Sequence, residues 1–351
     1  MSNEETVTTN LIKINESDLF MKYKTSYTSA FLDFSLHTVV FSSSFYLTWL
    51  FRNSWLSCFT IPIMAFLTLR TFIIFHDCCH QSYTPNKTLN YIISLITGMF
   101  MLISPNWILD HHTHHLTNGN IENTHHYFFN ETIILTKNQF LSKTKTQQLI
   151  HKIYKNPLVF FLIIQNIYFG IFQQFIYIVK KYRHPRVFTP SLLEITMNHI
   201  INNILSFLYL SKIYEYGLLW HFAIWFSMTA SMSFMMFHNQ HSFNPPFVVD
   251  NKEWTQRDSG LKGSSFFQIS SYFKYFYMGI EYHHIHHIYS KLPGYNLQKY
   301  HEEIVSNSNI FDNIVKLSVT DCYNNLWLTL YDDDKHKYIT FEEAYEDDKN
   351  K

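Results

Sequence analysis

The chain has 351 residues, enough for one large domain or two ordinary ones. Its 27 basic and 27 acidic residues cancel, so no overall field draws it to nucleic acid, and charged residues are only 15% of the chain against about 25% in an ordinary soluble protein. An apolar content of 47% excludes intrinsic disorder and four cysteines exclude a disulfide framework, which leaves 21 histidines as the unusual number.

In chain order, residues 1–30 form a polar N-terminal segment, with no basic stretch leading into a short apolar core, so no cleaved signal peptide is expected. Two apolar runs follow, 31–51 and 55–75, each close to the roughly 20 residues a bilayer-spanning helix needs. Only Arg52, Asn53 and Ser54 separate them, so they read as a hairpin. A shorter run, 89–104, is expected to dip in and return. The run 157–179 carries Gln165, Asn166, Gln173 and Gln174, and has lysines and arginines on both flanks (Lys152 and Lys155 before it, Lys180, Lys181 and Arg183 after it). Basic residues collect on the cytoplasmic side, so both flanks want one face and the run reads as interfacial or re-entrant. Two further runs, 195–212 and 216–237, complete four expected spans with both termini cytosolic, and 306–351 reads as a polar C-terminal tail. The expected fold is thus an all-α integral membrane protein of about four transmembrane helices, with a domain over 31–305 and a polar cap at the cytosolic face. Cys58, Cys78, Cys79 and Cys322 form no Cys-x-x-Cys, which sets aside zinc-ribbon and thioredoxin chemistry and favours a reducing compartment.

The histidines fall in tight groups. His76 and His80 are four apart; His111, His114 and His115 form His-x-x-His-His, with His112 as an extra; His283, His286 and His287 form a second such box, with His284 as an extra; His241 follows His238 by three. Positions i, i+3 and i+4 share a helix face, so each group can aim its imidazoles at one point, and imidazole is the commonest protein ligand for iron, zinc and copper. Nine candidate ligands exceed the four that one zinc takes and suit two metal ions. The expected topology delivers all nine to a single membrane face.

The segments His76-Asp-Cys-Cys-His80, His111-His-Thr-His-His115, Phe237-His-Asn-Gln-His241 and His283-His-Ile-His-His287, taken in this order, resemble the membrane-bound fatty acid desaturases, in particular the acyl-lipid Δ12/ω6-type branch. Arg70-Thr-Phe72, Gly119-Asn120, Leu261-Lys-Gly-Ser-Ser265 and Leu292-Pro-Gly-Tyr-Asn-Leu297 are similar too, and the likeness covers roughly residues 30–305. It implies that the nine histidines bind two iron ions, with O2 as co-substrate, and that the enzyme removes two hydrogens from an acyl-lipid chain to leave a cis double bond. It also implies a location in the endoplasmic reticulum of a eukaryotic cell, or otherwise in the cytoplasmic membrane. A related di-iron hydroxylase or carotenoid ketolase is the alternative within the same chemistry, and a non-catalytic membrane metal binder the alternative outside it.

Ligating histidines usually donate their second N–H to a carboxylate or carbonyl, which makes Asp77, Asp110 and Glu281, beside the boxes, candidates to orient them. Arg70, inside an apolar run, must find a partner or reach the headgroups, where a lipid phosphate is one possible contact. His125 and His126 read as loop. Neither Gly-x-Gly-x-x-Gly nor the His-Pro-Gly-Gly of a fused cytochrome b5 occurs, so a separate electron donor, cytochrome b5 or ferredoxin with its reductase, is expected.

Overall fold

A computed structural model of the chain describes residues 16–122, 135–174, 176–183 and 190–349. The helices that build and flank the site are α1 (Tyr27–Leu50), α2 (Ser57–Cys79), α3 (Lys87–Met101), α4 (Ile108–Thr117), α5 (Lys145–Lys155), α6 (Ile176–Arg183), α7 (Leu192–Glu215), α8 (Leu219–His241) and α9 (His283–Ile288). Polar caps set where the long ones begin. Ser26 accepts from the Ser29 N–H ahead of α1, Asn86 from Leu89 ahead of α3, and Ser191 from Glu194 ahead of α7. Helix α2 is central, packed by α1, α3 and α8. Its Met64, Leu67 and Phe75 join Trp225, Phe226 and Ala230 of α8 in one buried cluster.

The four expected spans correspond to helices of 24, 23, 24 and 23 residues, α1, α2, α7 and α8. Among the described residues only α2 is by itself long and apolar enough to cross a bilayer. Helix α7 is diluted by Asn198, His199, Asn202 and Asn203, and α8 ends in Phe-His-Asn-Gln-His. The 89–104 run is α3, which with Pro105–Thr117 passes the same test but turns through 97° at the break. The chain from Pro157 to Gly170 is a shorter apolar helix.

The fold is mostly helical but not all-α. Among the described residues there are five short strands, β1 (Leu135–Thr136), β2 (Phe266–Phe267), β3 (Lys316–Leu317), β4 (Leu330–Asp332) and β5 (Lys337–Ile339). β1 pairs parallel with β4, β4 antiparallel with β5, and β2 parallel with β3. The polar segment after 306 therefore folds back onto the body up to residue 349 instead of trailing away. Leu330, Ile339 and Ala344 bury themselves against Phe140, and Lys137 pairs with Asp332 at 3.1 Å in the interior. Arg70 stays inside the protein. It is 3% exposed, pairs with Asp33 of α1, donates to the Tyr275 carbonyl and lies 4.2 Å from the Tyr275 ring centre. Asp33 also accepts from the Tyr83 hydroxyl at 2.9 Å, so the buried charge is paired and bonded and needs no lipid phosphate.

Candidate metal centre

His76 lies in the last turn of α2 with His80 capping it, box two is on α4, His241 is the final residue of α8, and box three forms α9. All nine histidines are buried. Their nitrogens converge on two points rather than one per box. His76, His80, His111 and His286 form one group with all ligand atoms within 4.8 Å of each other, and His114, His241, His283 and His287 form the other. His115 joins the first group, its Nε2 3.1 Å from that of His111 and 3.0 Å from that of His286.

Helical geometry explains the split. Successive residues turn by about 100°, so i and i+4 lie about 40° apart while i+3 points to the other side. His111 and His115 thus face the first group and His114 the second; on α9, His283 and His287 face the second and His286 the first. Each His-x-x-His-His box was expected to aim at one point, and each instead divides two to one, while His76 and His80 stay together.

The spacing within a group suits a shared cation. In the second group the Nε2 atoms form a closed ring: His114 to His241 3.0 Å, His241 to His283 2.9 Å, His283 to His287 3.1 Å and His287 to His114 3.2 Å. Four neutral imidazoles cannot supply a proton to every contact of such a ring, whereas ligands about 2.1 Å from one ion and at right angles stand about 3.0 Å apart. In the first group His76 and His111 are 2.9 Å apart, and the Nε2 of His80 has no hydrogen-bond partner in the protein. Burial and then the neighbouring imidazoles push His80, His111, His114, His115, His283, His286 and His287 well below the ordinary value of 6.5. His241 is lowered to about 4, also by burial. Neutral imidazole is the ligating form, so the donor set fits a metal pair.

Two histidines are oriented from behind. The Nδ1–H of His241 donates to the Gly263 carbonyl at 2.8 Å, and that of His76 to Asp77 Oδ1 at 3.1 Å, which turns each Nε2 lone pair inward. Asp77 Oδ2 accepts the Gly294 N–H at 2.6 Å. A side chain at Gly294 would bring its Cβ within 2.5 Å of the Met278 carbonyl oxygen, so only glycine allows this approach. The Lys-Gly-Ser-Ser and Pro-Gly-Tyr segments thus act through backbone groups of Gly263 and Gly294, a role that composition did not reveal. Asp110 instead pairs with Lys180 of α6 at 2.5 Å. Glu281 is buried and bonds no imidazole; burial pushes its carboxyl up to about 7, opposed by backbone N–H groups and Lys274. Of the extra histidines, His112 is exposed, His238 donates to the Asn325 carbonyl at 2.9 Å, and His284 packs against His301 and Phe311. His125 and His126 lie outside the described residues.

A cavity opens onto both groups, reaching His76 and His111 of the first and His114 and His283 of the second. Its other walls are largely aromatic: Phe72 from α2, Trp107, Phe169, and Phe234 and Phe237 from α8. The ion pair of Asp110 and Lys180, with Tyr177, is its polar edge.

The family model for fatty acid desaturases matches residues 53–308, well over half of the chain. This chain belongs to the fatty acid desaturase family. The match begins just ahead of α2 and includes all four histidine segments. A fatty acid desaturase of Bacillus subtilis (strain 168) is 28% identical over 285 residues, covering 80% of this chain and 76% of its own. An sn-1 acyl-lipid omega-3 desaturase (ferredoxin) of Nostoc sp. (strain 36) is 36% identical over a shorter stretch of 58 residues, 16% of either chain. The protein is a desaturase, an oxidoreductase acting on fatty acyl chains.

Proposed function

We propose that this desaturase places a cis double bond, of Δ12/ω6 type, in a lipid-linked acyl chain at a di-iron centre. The observation that carries the reading is the pair of histidine groups, closed at 2.9–3.2 Å and both open to one aromatic cavity. His76, His80, His111, His115 and His286 would hold one ion, and His114, His241, His283 and His287 the other. Bound there, iron supplies the O2-derived oxidant that an unactivated C–H bond requires, which no side-chain acid or base provides. The rest falls to the chain's own residues. Phe72, Trp107, Phe169, Phe234 and Phe237 give an acyl chain an apolar, water-excluding bed beside His76, His111, His114 and His283, and its position on that bed sets which carbons face the centre. Asp77 and the Gly263 carbonyl keep two of the imidazoles aimed.

The lipid carrier and the electron donor are read by likeness: the Nostoc relative is named for an acyl-lipid substrate and ferredoxin, and this chain has no nicotinamide motif of its own. Cytochrome b5 with its reductase would serve equally in a eukaryotic cell. For placement, we take α1, α2, α7 and α8 as four spans with the histidine cap on the cytosolic side, in the endoplasmic reticulum or the cytoplasmic membrane. Support comes from the apolar outer faces of these helices, where Phe31, Leu36 and Val39 of α1, Ile204 and Phe207 of α7 and Trp220 of α8 are exposed. The desaturase domain is then taken as 31–305, and the family match covers 53–308.

Expression in a host that makes no polyunsaturated lipids, followed by mass spectrometry of double-bond position, tests the reading. The expected product is a diunsaturated chain with the new bond at the Δ12 position. A hydroxyl or ketone product would overturn it in favour of an oxygenase.

A further inference from the structure

Two exposed side chains touch the backbone of ligand histidines. The Lys291 ammonium donates to the His80 carbonyl at 2.6 Å, and the Gln256 amide donates to the His287 carbonyl at 3.2 Å. His80 belongs to the first group and His287 to the second, so each group comes within one residue of the surface here. The two contacts share a face. Arg257, next to Gln256, pairs with Glu16, which accepts from the Tyr289 hydroxyl two residues before Lys291.

The surface around Lys291 is basic. Lys87 is exposed at the start of α3, and its ammonium, after burial, lowers the Lys291 pKa from the ordinary value. Lys24 is exposed as well. Thr25 beside it donates to the Tyr83 carbonyl at 2.8 Å and meets the Tyr295 hydroxyl at 2.9 Å, so Lys24 borders the same turn. Neither 80–88 nor 289–301 holds an acidic residue, and none of the large exposed apolar side chains lies in either segment. Glu16 and Glu303 on the flanking segments are answered by Arg257 and Lys22. The bond from Lys291 to a carbonyl fixes its place without cancelling its charge. A polar, basic face of this kind suits an acidic soluble protein, whereas the apolar outer faces of α1 and α7 suit lipid.

We propose, on the reading above that electrons come from a separate protein, that this face is the docking site of an acidic one-electron carrier. The carrier settles on Lys24, Lys87 and Lys291, and the route inward runs through the hydrogen bond from Lys291 to His80 and along that one residue to the first group. Each double bond consumes one O2, two electrons, two protons and two hydrogens of the acyl chain, and leaves two waters. Two reduced carriers therefore dock in turn, and each leaves oxidised by one electron. A contact made and broken twice per turnover must be weak and fast, which charge steering onto a small polar face provides.

The full chain, metal-free and in detergent, is titrated with an oxidised acidic [2Fe–2S] ferredoxin and, separately, with cytochrome b5, and affinity is read by surface plasmon resonance at low and physiological salt. Binding of at least one carrier is expected, at least about tenfold weaker at the higher salt and at least about tenfold weaker again in K87E/K291E. K24E/K87E should show the same loss with Lys291 left in place. A glutamate in the first turn of α3 favours that helix, so this variant keeps its fold. K145E/K316E makes the same change of charge on α5 and β3 and should bind as the wild type does. Equal binding by the wild type and both double reversals of the face, equal weakening by K145E/K316E, or failure of both carriers to bind overturns the proposal. So does a loss confined to phosphatidylglycerol vesicles, which would make the face a lipid contact. Binding is read without metal or turnover, so its failure and a failure of the di-iron reading are separate results.

Discussion

Asp77 is the sharpest test of the site, because one buried carboxylate serves two parts of it. Asp77 is 1% exposed, accepts from the His76 imidazole at 3.1 Å and accepts the Gly294 N–H at 2.6 Å. In D77A both donors stay buried with no acceptor. Each such donor costs about 1–3 kcal/mol. The imidazole can turn to seek another partner and the backbone N–H cannot, so the expected loss of folding stability is about 3 kcal/mol. His76 also loses the group that aims its Nε2, and removing such a support weakens metal binding by about 10- to 100-fold. D77N keeps one acceptor oxygen but sets its amide N–H2 against the other donor, so it should fall between the wild type and D77A in both respects. The assay is iron per chain in detergent-purified protein against a graded chelator, with the unfolding midpoint of the metal-free form measured in parallel. If metal-free D77A unfolds where the wild type does, and keeps its iron at the same chelator concentration, Asp77 neither holds Gly294 nor orients His76.

Replacing His114 by Ala opens the ring of the second group, so metal content should fall from about two ions per chain towards one and double-bond formation should be lost; full activity in H114A or H286A would refute the metal assignment. Breaking the ion pair of Lys180 and Asp110 with K180M strands a carboxylate that is only partly exposed. The expected cost is about 2 kcal/mol in chemical denaturation, largely recovered in K180M/D110N, and additive losses in that double variant would show that the two do not interact. His151 and His301 are each lowered by burial to about 4 from an ordinary 6.5. The unfolded chain therefore binds protons that the folded chain refuses, so metal-free protein should lose stability as pH falls from about 6.5 towards 4, and H151Q and H301Q should each flatten that slope. G294A should lower both stability and metal retention, since its Cβ would press on the Met278 carbonyl; a variant indistinguishable from the wild type in both would mean the backbone shifts freely there.

The helices and the histidine boxes were legible in the sequence for the same reason: each is written in local spacing. Runs of about 20 apolar residues became helices of 23 and 24 residues, and the His-x-x-His-His repeats lie on short helices as their spacing requires. The division of each His-x-x-His-His box between two groups was not legible, because spacing fixes angles around a helix axis but not what lies on either side of it. Partners distant in sequence were hidden as well. Asp33 for Arg70, Gly294 for Asp77 and Lys180 for Asp110 are joined only by folding, and Gly294 acts through its backbone N–H, a group that its residue type does not advertise. Strands of two or three residues, such as β1 and β4, are too short to leave a periodic signal, and so the C-terminal segment read as a tail.

The two-to-one division ties the two groups mechanically. Helix α4 gives His111 and His115 to the first and His114 to the second, while α9 gives His286 to the first and His283 and His287 to the second. Neither helix is held by its own hydrogen bonds alone, since α9 has six residues and α4 ten, lengths at which an isolated helix is marginal in water. Their orientation must come from the groups they enter and from the packing around them. The supports behind the rings belong to the other two helices: the Gly263 carbonyl stands behind His241, and Asp77, which accepts the Gly294 N–H, behind His76. His76, His80 and His241, by contrast, stand at the ends of α2 and α8, two long helices packed on each other in the core. The two groups are thus set between one pair of helix ends packed in the core and two short helices that each belong to both groups, so that their separation depends on both short helices at once.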